Sequence, residues 1–216
     1  MAPNANAVGR PSKPLLSRAL IADAALRLID REGSDALAMR RIARELGVDP
    51  SSLYNHIDSK SDLIEELRGV VSARIDASAF VTEPWSEAVI TWAHSYRSAF
   101  SSHPRLIPLL MSKASTSPVI MGVYEEFALA AGRDGWADSD ILPILTALES
   151  FVLGSVLDMS GPTVLFDPRG QEDEFPAFSR AFHTLQEADP DDPVAGPAFE
   201  LGLRGLVRGL TELRRR

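Results

Sequence analysis

The 216-residue chain contains no cysteine. That absence removes a disulfide framework, a thiolate metal site and a cysteine nucleophile. Histidine is scarce, with four in all (His56, His94, His103 and His183), and no pair has metal-ligand spacing. His94 and His103 stand nine residues apart, which puts them on opposite faces of any helix that carried both. There is no glycine-rich phosphate loop, no His-Glu-x-x-His and no nucleophile elbow. The expectation is therefore a protein that is not an enzyme, with no catalytic residue, no metal and no cofactor. Strand-like alternation is missing as well, so no sheet is expected and the fold class is all-α. The most apolar run, Ile141 to Leu157, is broken by Glu149 and ends at Asp158, which fits a buried helix better than a membrane span. Met1 to Pro14 carry no apolar core of the signal-peptide kind, so a cytoplasmic place and no membrane partner are expected.

The net charge of −8 argues against contact with a polyanion until its placement is considered. Residues 1–60 hold nine Lys or Arg against seven Asp or Glu, while the remainder holds 13 against 23. The asymmetry confines any nucleic-acid contact to the first part of the chain.

Residues 1–16 are rich in Pro, Asn, Ala and Ser and show no periodicity, which reads as a flexible arm. Its cations Arg10 and Lys13 could reach DNA, although a plain disordered tail is the simpler reading. From Ser17, an N-cap residue, Ile21, Ala24, Ala25, Leu28 and Ile29 repeat at helical spacing until Gly33, where an αL residue is wanted. A short helix follows at about 39–46, with Met39, Ile42, Ala43 and Leu46 inward, and Gly47 ends it. Asp49 then caps a third helix that has Pro50 at its first position. In it Leu53 and Ile57 point one way, Ser51, Ser52, Asn55 and His56 point the other, and Tyr54 sits at the edge. A long fourth helix spans 61–79, and further helices are predicted near 85–102, 105–114, 117–131, 139–159, 177–188 and 195–214, with a loop at 161–176.

The pair of short helices joined through Gly47 is a helix-turn-helix pattern. It has a small residue at the turn. Val48, Leu53 and Ile57 lock the second helix, and the outer face is free of bulky apolar groups, so it can enter a major groove.

The run Leu37 to Leu63 resembles the signature of the tetracycline-repressor (TetR) family, with its Leu-Gly-Val turn, a recognition helix ending in Leu-Tyr-x-His, and a Lys opening the next helix. The similarity covers roughly residues 17–68 and extends to the first helix. The resemblance implies that Tyr54, His56 and Lys60 contact phosphates, which set register and not sequence. It also places Arg40 near base edges, where a guanidinium suits guanine, with Ser51, Ser52 and Asn55 as further base-edge candidates. Arg41 and Arg44 read as flanking. Two departures stand out. Ala38 sits where the family has Thr or Ser as a cap, a role that Ser34 or Asp35 would have to fill, and Asn55 occupies an often aromatic position.

Three parts follow from this resemblance: an arm at 1–16, a helix-turn-helix DNA-binding domain at 17–61, and an effector-binding and dimerisation domain at 62–216. The implied partners are double-stranded operator DNA, a second copy of the chain, and an unknown small-molecule effector. For the homodimer, the sequence offers Gly202, Gly205 and Gly209 beside Leu206, Leu210 and Leu213. It also offers a stripe of Leu145, Leu148, Val152, Ser155 and Met159 with Gly154 beside it. An ordinary intrachain core would use the same residues. For the effector, the expected lining is Trp92, Tyr96, Phe100, His103, Met111, Met121, Tyr124 and Phe151, with His94, Glu149 and Asp158 as further polar candidates. The implied function is a ligand-responsive repressor that holds its recognition helices roughly 34–36 Å apart on a palindromic operator. An activator or a partner-controlled DNA binder would share the same first sixty residues.

Overall fold

A computed structural model describes residues 16–161, 166–188 and 194–214, and these contain helices and no strand. Arg10, Lys13 and the rest of the expected arm up to residue 15 lie outside the described residues, as do 162–165 of the expected loop. Leu16 packs against the core.

Helix α1 (Arg18–Glu32) starts at Ser17, whose Oγ accepts the Leu20 N–H at 3.2 Å. It buries Ile21, Leu28, Ile29 and four neighbouring residues, the apolar stripe seen in the sequence. Gly33 has φ 89° and ψ 172°, a positive φ outside the αL basin that was expected there. A single 3₁₀ turn (Ser34–Ala36) leads to α2 (Met39–Leu46). Neither Ser34 nor Asp35 caps α2, because both are used in that turn, and Ala38 offers no side-chain bond. Helix α2 closes in a Schellman motif: Val48 N–H reaches the Ala43 carbonyl at 3.0 Å and Gly47 N–H reaches Arg44 at 3.2 Å. Gly47 lies in the αL region (φ 65°, ψ 37°), which a side chain there would resist.

Helix α3 (Pro50–Leu53) is a single α turn, continued by bonds from the His56 and Ile57 N–H groups to the Leu53 carbonyl, both 2.9 Å. Leu53 and Ile57 are fully buried, each contributing about 1.5–3 kcal/mol. Helix α4 (Lys60–Ser72) is capped by Ser59 Oγ, which accepts from Asp62 N–H at 3.0 Å. It ends seven residues short of the expected boundary. Asp76 Oδ1 accepts the Ser78 N–H at 2.9 Å in an Asx turn, and Asp76 N–H is taken by Ser95 Oγ at 2.6 Å, so the backbone has partners outside a helix. A short α5 (Ala79–Thr82) fills the remainder.

The rest is a helical layer of α6 (Trp85–Ser101), α7 (Ile107–Met111), α8 (Pro118–Arg133), α9 (Asp138–Met159), α10 (Pro176–Ala188) and α11 (Ala195–Arg214). Phe80, Trp85, Trp92, Phe127 and Trp136 form one aromatic core with ring centroids 5.3–6.2 Å apart. Helix α9 is long and apolar enough to cross a bilayer by composition, but one of its faces packs on α6 and α11. That packing corrects part of the expected dimer stripe: Leu145, Leu148 and Val152 are buried within the protomer, while Ser155 is half-buried and Gly154 and Met159 are exposed. The open side of α9 also carries Pro143, Ala147, Ser150 and Leu157. The glycines of α11 divide similarly. A Cβ on Gly202 would stand 2.6 Å from the Phe151 ring, which is stacked on Phe199, whereas Gly205 and Gly209 face open space.

Two substitutions test this account by chemical unfolding. Ala38→Ser should add about 1 kcal/mol of stability by supplying the missing cap. Gly202→Ala should cost about 1–3 kcal/mol, because the stacked ring cannot withdraw without repacking and the gain in helix propensity is smaller. Stabilisation by Gly202→Ala would refute the close approach.

Candidate nucleic-acid interface and interior cavity

All seven expected contact residues lie in the helix-turn-helix or at the start of α4, and none is buried. Arg40 is exposed on α2. Ser51, Tyr54, Asn55 and Lys60 are exposed from α3 to the start of α4, and Ser52 and His56 are half-buried among them. Tyr54 leaves half of its ring in water, which a packed aromatic would not do. The Ser51 hydroxyl donates to Asp49 Oδ1 at 2.7 Å, so it has lone pairs and no proton to offer. That bond and the Ser51 N–H hold the Asp49 carboxyl below its usual range.

Residues 16–60 hold seven Lys or Arg and seven Asp or Glu, so the balance is local and not net. Three acidic groups pair with cations of the same unit: Glu45 with Arg31 at 3.0 Å, Glu32 with Arg41, and Asp23 with Arg27. Arg40, Arg44 and Lys60 have no ion-pair partner among the described residues and are exposed, as are Asp35, Asp49 and Asp58.

Behind the face, Arg18 ties three segments with one guanidinium. Nη1 donates to the His56 carbonyl at 2.6 Å, Nη2 to Asp62 Oδ1 at 2.8 Å, and Nε to Glu66 Oε2 at 2.7 Å. Asp62 Oδ2 also accepts the Asp58 N–H at 2.9 Å. The bond to Arg18 keeps the Asp62 carboxyl below the normal aspartate range, and Asp62 and Glu66 raise the Arg18 guanidinium above its own. At its other end α1 is held by Arg105, which donates to the Asp30 and Arg31 carbonyls, both at 3.1 Å, and by His103 beside Asp30 at 2.8 Å.

Between α4, α6, α7, α8 and α9 lies a cavity of about 300 Å³. Of the eight residues expected to line a pocket, Tyr96, Phe100, Met111 and Tyr124 do so. The other four lie elsewhere for identifiable reasons. Trp92 is fully buried in the aromatic core, and His103 is committed to Asp30. Met121 points to solvent, and Phe151 stacks on Phe199 against α11. Of the other polar candidates, Glu149 lines the cavity, His94 is drawn to Glu200 at 3.2 Å, and Asp158 is exposed near the end of α9.

Glu149 Oε1 accepts from the Tyr96 hydroxyl at 2.8 Å and from the Tyr124 hydroxyl. Burial first, and then the neighbouring carboxylate, push both phenols well above their ordinary titration range. Sequence reasoning passed over Arg68. Its Nη2 donates to the Leu110 and Lys113 carbonyls at 2.7 and 3.2 Å, and its Nε lies 3.3 Å from Glu65. Glu65 in turn accepts from Ser115 Oγ and Thr116 N–H, both at 3.0 Å. Burial pushes the Glu65 carboxyl up, but these donors and Arg68 more than offset it, and it titrates below the usual range. In the sequence Arg68 is one polar position on an amphipathic helix, and that signals nothing.

A bundle with a helix-turn-helix at one end, free cations on its outer face and a cavity behind it defines a DNA-binding transcription factor. Residues 21–67 match the family described as bacterial regulatory proteins of the tetR family, and residues 81–214 match the tetracyclin repressor-like C-terminal domain. The chain belongs to the TetR family. An HTH-type transcriptional regulator of Mycobacterium tuberculosis is 38% identical over 175 residues, covering 71% of this chain and 74% of the relative. The class D tetracycline repressor of Escherichia coli is 27% identical over 198 residues, covering 90% and 88%. Among solved structures, apo ActR of Streptomyces coelicolor superposes with a TM-score of 0.75 at 26% identity, covering 92% of this chain and 96% of that one. ActR in complex with (S)-DNPA gives 0.66 at 26%, covering 91% and 98%.

The Arg18 network predicts a pH dependence. A folded-state Asp62 pKa below the unfolded value of about 3.9 contributes stability above about pH 4 and loses it as pH falls through the folded value. Arg18→Gln should therefore be less stable than the parent near neutrality and lose less stability between mildly acidic and strongly acidic buffer. Parallel curves for the two proteins would show that the pair contributes nothing. Because Arg18 is half-exposed, the whole difference should stay within about 1 kcal/mol.

Proposed function

We propose that the chain is a ligand-responsive repressor that binds a two-fold operator as a homodimer in the cytoplasm. The observation that carries it is the pairing of an outward polar face with a cavity reached by the same helix, α4. Tyr54, His56 and Lys60 anchor phosphates, and Arg40, Ser52 and Asn55 read base edges. Ser51 accepts from a base donor, because its proton is already committed to Asp49. The second copy docks on the open sides of α9 and α11, where small residues such as Gly154, Gly205 and Gly209 permit close helix approach. Repression is supported by the tetracycline repressor among the relatives, and a ligand in the cavity by ActR with (S)-DNPA.

The switch runs along α4. Near its start, Asp62 and Glu66 hold Arg18, and Arg18 holds the carbonyl at the end of the recognition segment. One turn on, Glu65 and Arg68 hold the 110–116 segment that borders the cavity. A ligand that displaces that segment shifts α4, changes the spacing of the two recognition segments, and favours the DNA-free state in proportion to its preference for that state.

The test is selection of sites from a random DNA pool by the purified protein, followed by affinity measurements at two salt concentrations. A palindromic consensus is expected. Lys60→Ala should reduce the log–log salt slope by about 0.9 for each phosphate that the lysine neutralises, with little change in sequence preference. Arg40→Ala should relax preference at one position per half-site, by about 1–3 kcal/mol. Enrichment of no sequence would overturn the reading.

A further inference from the structure

Glu149 is the one acidic residue in the cavity lining. Two cations line it as well: Arg68 is paired with Glu65 and two carbonyls, and Lys113 Nζ donates to the Ser61 hydroxyl at 2.9 Å. Neither is bonded to Glu149. Both phenols donate to its Oε1, while among the described residues Oε2 has no hydrogen-bond partner and no cation pairs with Glu149. Phenols supply dipoles and not charge, and a glutamine would satisfy them equally. A carboxylate on the most apolar helix, with one oxygen fixed by two phenols and the other open to the cavity, offers an ion-pair partner to a cation.

The surroundings suit such an arrival. The Tyr96 and Phe100 rings stand 5.1 Å apart on the cavity wall, with Tyr124 also lining it, and Leu110 and Leu153 add apolar surface. Aromatic rings around a carboxylate bind organic cations through ion pairing and cation–π attraction together. At about 300 Å³ the space is at the small end of ligand sites. We propose that the cavity takes a small organic cation, a protonated amine on an apolar aliphatic or aromatic body. Its ammonium group pairs with Glu149 Oε2, and its body lies against Phe100, Leu110 and Leu153. The inference rests on the effector-responsive reading for its biological meaning, while the binding itself requires no DNA.

The test is calorimetric titration of the intact protein at neutral pH with three probes of matched shape: phenethylamine, phenethyl alcohol and phenylacetate. The amine is expected to bind at least about tenfold more tightly than the alcohol, and phenylacetate to be rejected. Glu149→Gln keeps an acceptor for both phenols and should lower amine affinity to that of the alcohol. The proposal is overturned by an alcohol or phenylacetate that binds as tightly as the amine, by no amine binding up to millimolar concentration, or by amine affinity unchanged in a folded Glu149→Gln protein. If that variant does not fold, the three probes on the parent protein decide alone. Amine binding that leaves operator affinity unchanged would support the cation site and overturn the effector-responsive reading.

Discussion

Helix α4 runs from the cavity wall to the helix-turn-helix, and one guanidinium, that of Arg18, fixes it there. Arg18 is worth little as a stabiliser, since half-exposed ion pairs contribute about 0–1 kcal/mol. Its importance is geometric. A planar group with fixed donor directions bonds at once to the end of the recognition segment and to two carboxylates one turn apart on α4. The recognition segment is only one α turn plus a bonded continuation, too short to hold its own orientation. Leu53 and Ile57 set its depth, and Arg18 sets its angle to α4. A lysine in place of Arg18 could satisfy one carboxylate but could not hold three directions.

The same helix is fastened to the cavity wall by a second set of polar contacts, and the two sets are interleaved. Asp62 and Glu66 face the DNA-binding unit, while Glu65 and Arg68 face the 110–116 segment. Four polar residues within seven positions thus attach α4 to both sides. Helix α1 closes the loop from the other side, since His103 and Arg105 hold its far end to the larger unit.

Most of the fold was legible because it follows from periodicity and punctuation. Ser17, Gly47, Asp49 and Pro50 fix helix ends by local chemistry, so the helix-turn-helix and its exposed polar residues could be read directly. The boundary of α4 was misplaced because the Asx turn at Asp76 depends on Ser95, which is distant in sequence. Three residues of the expected dimer stripe on α9, Leu145, Leu148 and Val152, went to the protomer core for a related reason. A helix apolar on more than one face does not reveal which face the protomer itself covers. Cavity residues were half-legible: aromatic identity marks Tyr96, Phe100 and Tyr124, but Trp92 and Phe151 carry the same mark and serve the core. The roles of Arg18 and Arg68 were invisible, because their partners lie about forty residues or more along the chain.

Two residues contradict their local setting, and the contrast between them is informative. Ala38 leaves α2 without a side-chain cap, a loss of about 1 kcal/mol. Glu149 also breaks a rule, with a carboxylate inside an apolar helix, but here the structure has built around the exception. Two tyrosines from different helices converge on one of its oxygens and fix its position, while the other oxygen is left open in the cavity. A carboxylate kept only for packing would have both oxygens bonded or be turned to solvent. One that is fixed at one oxygen and open at the other in a cavity has the geometry that the proposed cation site requires.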